Sequence, residues 1–518
     1  MKSKVCTVEE AVEKYVKSGD FIALAGFGAS TLAMETVICI REKFLATGEP
    51  NRLGIMSGGG QLGLDFFAED GFLEKLIVGH YGPNPKIAKM AGENKFLTWN
   101  IPQGLVGHLL RAITNGDKGL VTKCGLNTYM DPRLEGGRMN DITTESITEL
   151  IDVCGEEYLY YKAPKIDVAL LRATAVDEYG NVSFYDEMVT SYAKYAAMAA
   201  KACGGKVIVE CRDIVAGGSM SARDVDLAGI FVDAVVQIQD TTAHYFMTPT
   251  TVYSKALTGA IKVPVAKNDP VPLNPRKLIG RRAAIELPPD AVVNIGIGVP
   301  EMVSAVAEEE GVLDQITLTV EAGLIGGSAA KGEPFGTQVN HDCVNDEPTQ
   351  FDFYHSGLLD ICFLGLAQVG ANGDVNVSKF GPIPTGCGGF IDISQYCGTV
   401  VYCGTFTAGG LKERIEDGKL IIDQEGRNKK FVNEVMQVSF SAKQAIADGV
   451  KVLYITERAV FELTPEGVEL IEVAPGVDLQ KDILDLMDFE PIMKDVKPMD
   501  AKLFDPALMG LKEIIEAK

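Results

Sequence analysis

The chain has 518 residues, 46% of them hydrophobic and 23% charged, which is too long for one core and apolar enough for two or three. A formal net charge of −23, with no basic block to offset it locally, excludes nucleic acid phosphates and anionic membrane surfaces as partners. No apolar run reaches the length of a membrane span, the opening MKSKVCTVEEAVEKYV lacks the apolar core of a signal peptide, and 11 scattered cysteines without C-x-x-C spacing predict reduced thiols in a cytoplasm.

In chain order, GDFIALAGFGAS (residues 19–30) predicts a buried strand that runs into a Gly-x-Gly turn. The stretch LGIMSGGG (53–60) predicts a second strand ending in glycines. The segments WNIPQG and TYMDPR follow, before a long strand in IDVALLRATAVDEYGNVS (166–183) and another after Gly205 in KVIVE. Prolines 264, 270, 272 and 275 then crowd VPVAKNDPVPLNP, which predicts a linker over 263–276. Beyond it the sentence repeats. PDAVVNIGIGVP (289–300) matches 19–30, with Asp290, Gly296 and Gly298 standing where Asp20, Gly26 and Gly28 stand in the first copy. LDICFLGLAQVGANGDVNVS (359–378) matches 166–183 through Asp167/Asp360 and Gly180/Gly373, and Gly398 before TVVYC matches Gly205. Three anchors in one order predict an internal duplication, and the offset falls from 270 to 193, so the first copy carries 77 extra residues between them.

Strand, glycine turn and helix recur in both copies, as in PEMVSAVAEEEG with Pro300 at its start and Gly311 at its stop. The expected fold class is therefore α/β: two tandem open α/β domains, 1–262 and 277–518. Neither Gly-x-Gly is a dinucleotide fingerprint, because Thr31 and Glu301 occupy the third glycine position and Glu301 has the wrong sign for a pyrophosphate. The glycines read either as tight strand-to-helix turns or as backbone approached by a ligand at the carboxyl ends of strands.

ITLTVEAGLIGG (316–327) sets an acid, Glu321, between a strand and a glycine cluster. Aligning it with LGIMSGGG puts Gly58 opposite Glu321, so only one copy holds the acid. A helix cap or a solvated turn acid is the bland reading; a ligand-facing group at a strand's carboxyl end is the other, and spacing leaves both open. The five histidines, His80, His108, His244, His341 and His355, have no metal-binding spacing and read as structural, so no metal is expected.

The segments TLTVEAGLIGG, NVSKFGPIPTGCGGFIDIS, CGTFTAGGLK, YITERAVFEL and MDFEPI, together with IGRRAAIEL and DPRLEGGRMNDIT, resemble bacterial propionate and acetate CoA-transferases of family I, over nearly the whole chain. The resemblance implies an α-like domain fused to a β-like domain, with Glu321 as nucleophile and coenzyme A as substrate and covalent intermediate, not as a resident cofactor. It also implies acyl-CoA and small carboxylates as partners, and a homo-oligomer, tetramer or dimer. By the same resemblance Gly388 and Gly389 in TGCGGF would serve the thioester as oxyanion donors. Gly386, Asn376 and the turn Gly296, Ile297, Gly298 and Val299 would contact CoA, and Gln103 of NIPQG would reach the active site from the first half of the sequence. A turn residue is the bland reading of Asn376. The loops AGFGAS, SGGGQLG and YHSGLLD differ from propionate enzymes and leave the acyl group open. An acyl-CoA hydrolase and a non-catalytic ligand-binding paralogue are the alternatives.

Overall fold

The computed structural model describes residues 2–264, 270–330, 333–334 and 336–518, so residues 265–269 of the expected linker lie outside the described residues. The chain forms two compact units that interleave in sequence. The first runs to Val263 and also takes Glu321–Asp352 and Lys379–Asp392; the second takes Pro264–Val320, Phe353–Ser378 and Ile393–Lys518. The expected boundaries cut the chain at a single linker, whereas these units exchange two segments of the later sequence. The exchange is a tertiary effect: residues 321–352 and 379–392 find their hydrogen-bond partners around Ser57–Gln103 and Ser191, far away in sequence.

The first unit is built on a parallel sheet. Its strands are β1 (Phe21–Leu24), β2 (Leu53–Ser57), β3 (Leu73–Val78), β4 (Leu97–Asn100), β5 (Val168–Asp177), β6 (Lys206–Val215) and β7 (Ala234–Gln237). Their order across the sheet is β7-β6-β5-β1-β2-β3-β4. β5 is buried along its whole length, as a central parallel strand covered on both faces must be.

The second unit contains β8 (Val292–Ile295), β9 (Thr317–Val320), β10 (Ile361–Gly365), β11 (Thr399–Cys403) and β12 (Lys451–Ile455), in the order β9-β8-β10-β11-β12, all parallel. This repeats the order β2-β1-β5-β6-β7 strand for strand. β13 (Ala459–Thr464), β14 (Gly467–Val473) and β15 (Ile492–Pro498) extend it beyond β12. Helix Pro275–Ala284 contributes Leu278 and Ile279, and helix Glu301–Glu309 contributes Val303 and Val306, to a core shared with Val293, Phe363 and Val401. The former begins at the last proline of the proline-rich stretch, because Asn274 caps the Lys277 N–H and Pro275 fits the first helical position.

The duplication is visible at the level of single hydrogen bonds. The Lys206 N–H donates to the Asp167 carbonyl at 2.8 Å, and the Thr399 N–H to the Asp360 carbonyl at 3.0 Å. The anchor carboxylates cap the neighbouring strand in both copies, Asp167 accepting from the Phe21 N–H and Asp360 from the Val292 N–H. Gly180 and Gly373 close equivalent turns at φ 90° and 92°, a backbone region that favours glycine.

Candidate active site

Strand register decides where Glu321 stands. Ile22 pairs with Val168 on one side and Ile55 on the other; in the second copy Val293 pairs with Ile361 and Leu318. Counting on from Ile55 and Leu318 brings Gly58 and Glu321 to the same place, the first residue beyond the carboxyl end of the strand. Glu321 lies in a turn, caps no helix, and is half-buried. No other described residue donates a hydrogen bond to its carboxylate; only its own N–H draws the pKa down, while burial, the larger influence, pushes it up.

The glycines that follow have a backbone role. Gly323 has φ 117°, and a Cβ there would lie 2.1 Å from the Asn345 carbonyl oxygen. One at Gly327 would lie 2.3 Å from the Val339 carbonyl. These glycines let the segment 339–345 pack against the turn, and the Asn345 N–H donates to the Gly323 carbonyl at 2.8 Å. That segment delivers helix Glu347–His355, whose first residue belongs to the same unit as Glu321.

Glu347 is fully buried and is held from three sides. The Gln103 Nε2 donates to its Oε1 at 2.9 Å, the Ser191 Oγ donates to its Oε2 at 2.8 Å, and its own N–H donates to the Ser191 carbonyl at 3.1 Å. Burial pushes its carboxyl up to about 8; the charges of Glu321 and Asp392 push the same way, and the bonds from Ser191 and Gln103 pull partly back. Ser191 has φ 50°, a strained value for a residue with a side chain, in the loop that leads into helix Ala193–Ala202. The neighbouring Tyr192 hydroxyl accepts from the Gly58 N–H and donates to the Leu24 carbonyl, tying the ends of β1 and β2 together below the site.

Gln103 opens helix Gln103–Thr114, and its side chain is buried. Its N–H donates to the Gly388 carbonyl at 2.9 Å, so the turn 385–389 is clamped to the helix start. A Cβ at Gly388 would lie 3.8 Å from Gln103 Oε1 and 3.6 Å from His80 Cδ2; one at Gly59 would lie 3.3 Å from Gln103 Nε2. The amide thus occupies a slot between two glycines. Within the turn, the Gly388 N–H donates to the Gly79 carbonyl at 2.8 Å and the Cys387 N–H to Asn100 Oδ1 at 3.0 Å, so the fold uses the donor at Gly388. The Gly389 N–H, also buried, makes no hydrogen bond among the described residues. Gly386, at φ 79°, has no room for a side chain against Asn100 Nδ2 and the Gly79 carbonyl. Cys387 is buried and its thiol is pushed up by that burial, which leaves it little thiolate.

The first unit therefore brings together Glu321, Gln103, Gly388 and Gly389, and adds Glu347, Ser191 and His80, which sequence reasoning missed. His80 read as structural, yet it borders the Gly388 turn, where burial lowers its pKa and favours the neutral ring. Residue Gln103 comes from the first half of the sequence and Glu321, Glu347 and Gly388 from the second, so the two halves meet inside one compact unit. The remaining CoA candidates lie in the second unit. The turn after β8 exposes Ile297 at 67% relative accessibility, and the Gly298 N–H donates to the Glu301 carboxylate at 2.5 Å. Glu301 thus occupies the anion position at its own helix start. Asn376 is buried with both ends of its amide in use, donating to Gln368 Oε1 and accepting from the Ser378 N–H. Asn376 ends the short strand Val375–Asn376, paired with Gln368.

Residues 5–238 match the family model described as coenzyme A transferase. Across 98% of this chain and 96% of theirs, 40% of residues are identical to those of acetate CoA-transferase YdiF of Escherichia coli strain K12. The chain is a CoA-transferase. Its identity to the caffeate CoA-transferase of Acetobacterium woodii is also 40%, over 99% of both chains. A crystal structure of the acyl-CoA transferase YdiF from E. coli O157:H7, in a thioester complex with CoA, superposes with a TM-score of 0.91 at 39% identity, covering 98% of this chain and 97% of that one. The fold class expected from the duplication, two open α/β domains of CoA-transferase type, is the fold this CoA-transferase has. Among the described residues no helix is long and apolar enough to cross a membrane.

Proposed function

We propose that this CoA-transferase exchanges CoA between a short-chain acyl-CoA and a free carboxylate, acetate among them, through a glutamyl-CoA thioester on Glu321. A carboxylate ionises without a general base, and one desolvated as Glu321 is gains basicity and nucleophilic strength. Its oxygen attacks the thioester carbonyl; the C–S bond breaks, giving an acyl-glutamyl anhydride and CoA thiolate. The thiolate then attacks the glutamyl carbonyl, the donor's carboxylate leaves, and a glutamyl-CoA thioester remains. A second carboxylate runs the same steps in reverse. Each step passes through an oxyanion; the unused N–H of Gly389 is the donor at hand, and the Gln103 amide becomes one when its Nε2 turns away from Glu347. Gly388 serves by shape, leaving the space beside Gln103 and His80 open. The exposed turn from Gly296 to Val299 is offered to the CoA arm, and the assembly is a homo-oligomer.

The single observation that carries this reading is a half-buried carboxylate at a strand's carboxyl end, without a hydrogen bond from another described residue, in a chain of this family. Hydrolysis is the second reading, because water could also attack the glutamyl thioester. Acyl-CoA consumption with acetyl-CoA as donor and propionate as acceptor separates the two. We expect consumption to require propionate and to conserve CoA as propionyl-CoA; free CoA appearing at the same rate without an acceptor would make the enzyme a hydrolase.

A further inference from the structure

We propose that Glu347 is a positioning residue for Gln103: its proton decides which end of the Gln103 amide faces the reacting carbonyl. The inference rests on reading Glu321 as the covalent carrier, since it concerns the oxyanion formed there. The slot between Gly59 and Gly388 fixes the plane of the Gln103 amide but not its sense, because carbonyl oxygen and amino group are nearly the same size. The partner at the inner end, Glu347 Oε1, is what distinguishes them.

When Glu347 is ionised it only accepts, so Gln103 must turn Nε2 inward and present its carbonyl oxygen towards Gly388. An acceptor there repels a developing oxyanion. When Glu347 carries a proton on Oε1, that O–H donates to the Gln103 carbonyl, the amide turns over, and Nε2 becomes a donor on the Gly388 side. Ser191 continues to donate to Oε2 in either state, so the turnover breaks no other bond.

The charges around the carboxyl favour the protonated state. Glu321 faces it from the end of β9 and Asp392 from the start of helix Phe390–Tyr396, both negative. The phenol of Tyr192 is held neutral by burial, as is the His80 imidazole beyond Gly388. The cations nearby are already matched: Lys194 pairs with Asp346, and Arg111 with Asp352, which also meets His108. Burial, the largest influence, raises its carboxyl to about 8, so Glu347 gives up its proton on the alkaline side of the ordinary carboxylate range. The sign follows: the productive amide orientation is present below that pH and lost above it.

The test is kcat/KM for acetyl-CoA, with propionate as acceptor, between pH 6.5 and 10, since this ratio reports ionisations of the free enzyme. The wild type should fall about tenfold per pH unit above its midpoint. In Glu347→Gln the new amide donates to the Gln103 carbonyl at every pH, and the alkaline fall should vanish; in Glu347→Ala the rate should be lower throughout, equally without that fall. Ser191→Ala removes a donor that favours the ionised carboxylate, so its midpoint should move to higher pH, which keeps the proposal open to test if the Glu347 variants fold poorly. Acceptor-free labelling of residue 321 with acetyl-CoA is scored on the wild type in parallel. An alkaline limb unchanged in Glu347→Gln, or a midpoint unmoved or lowered in Ser191→Ala, overturns the role of Glu347 while 321 still labels. Absence of label on 321 in the wild type overturns the carrier itself.

Discussion

Glu321→Ala is expected to lose CoA transfer by at least about a thousandfold, because it removes the carboxylate that, on the proposed mechanism, forms the covalent intermediate and divides the exchange into two steps. Cys387 cannot take over, since its buried thiol is held protonated. The fold should survive. Glu321 receives no hydrogen bond from another described residue, so its removal leaves no donor orphaned, and it takes away a charge that works against Glu347. Thermal unfolding should therefore match or slightly exceed the wild type. Initial rates with acetyl-CoA and propionate, together with a melting curve, check both halves of this expectation; an active variant would leave Glu321 as a binding group only.

Glu321→Asp keeps the charge and withdraws the oxygens by one methylene. Reacting atoms must meet at about 3–3.5 Å, and a displacement of about 1 Å can cost about a hundredfold, so a loss of that order is expected. It should fall on kcat, because only the reach of the nucleophile changes and the groups that bind the substrate are untouched. The glycines beyond the acid prevent a compensating shift. Gly323 and Gly327 already sit against the carbonyls of Asn345 and Val339, so the turn has no slack to carry the shorter side chain forward. Steady-state kinetics on this variant separate the roles: near-normal kcat with a raised KM would assign the carboxylate to substrate orientation.

The duplication was legible because its anchor residues recur in one order at matched spacing. Gly180 and Gly373 need a positive φ, and Asp167 and Asp360 cap the adjacent strand. The strand order, which the sequence left open, repeats with it in the structure. Glu321 was legible as an acid in one copy only, opposite Gly58. The interleaving of the compact units was not, because it depends on bonds such as Gln103 to Glu347, made by residues 244 apart in the chain. Glu347 itself hides in the polar run NDEPTQ, where an acid before a proline reads as an ordinary helix start; its burial comes wholly from what packs over it. The difference between the N–H groups of Gly388 and Gly389 was hidden for the same reason, since only the distant Gly79 carbonyl distinguishes them.

The most direct measurement is the mass of residue 321 itself. The protein, incubated with acetyl-CoA and no acceptor, should gain the mass of CoA less one water, since acetate departs and nothing replaces it. Borohydride should then reduce the thioester to an alcohol at position 321 and inactivate the enzyme, whereas free CoA alone should not sensitise it. Peptide mapping that finds Glu321 modified is the result this account predicts. A label on Cys387 or another thiol, with Glu321 intact, would contradict it.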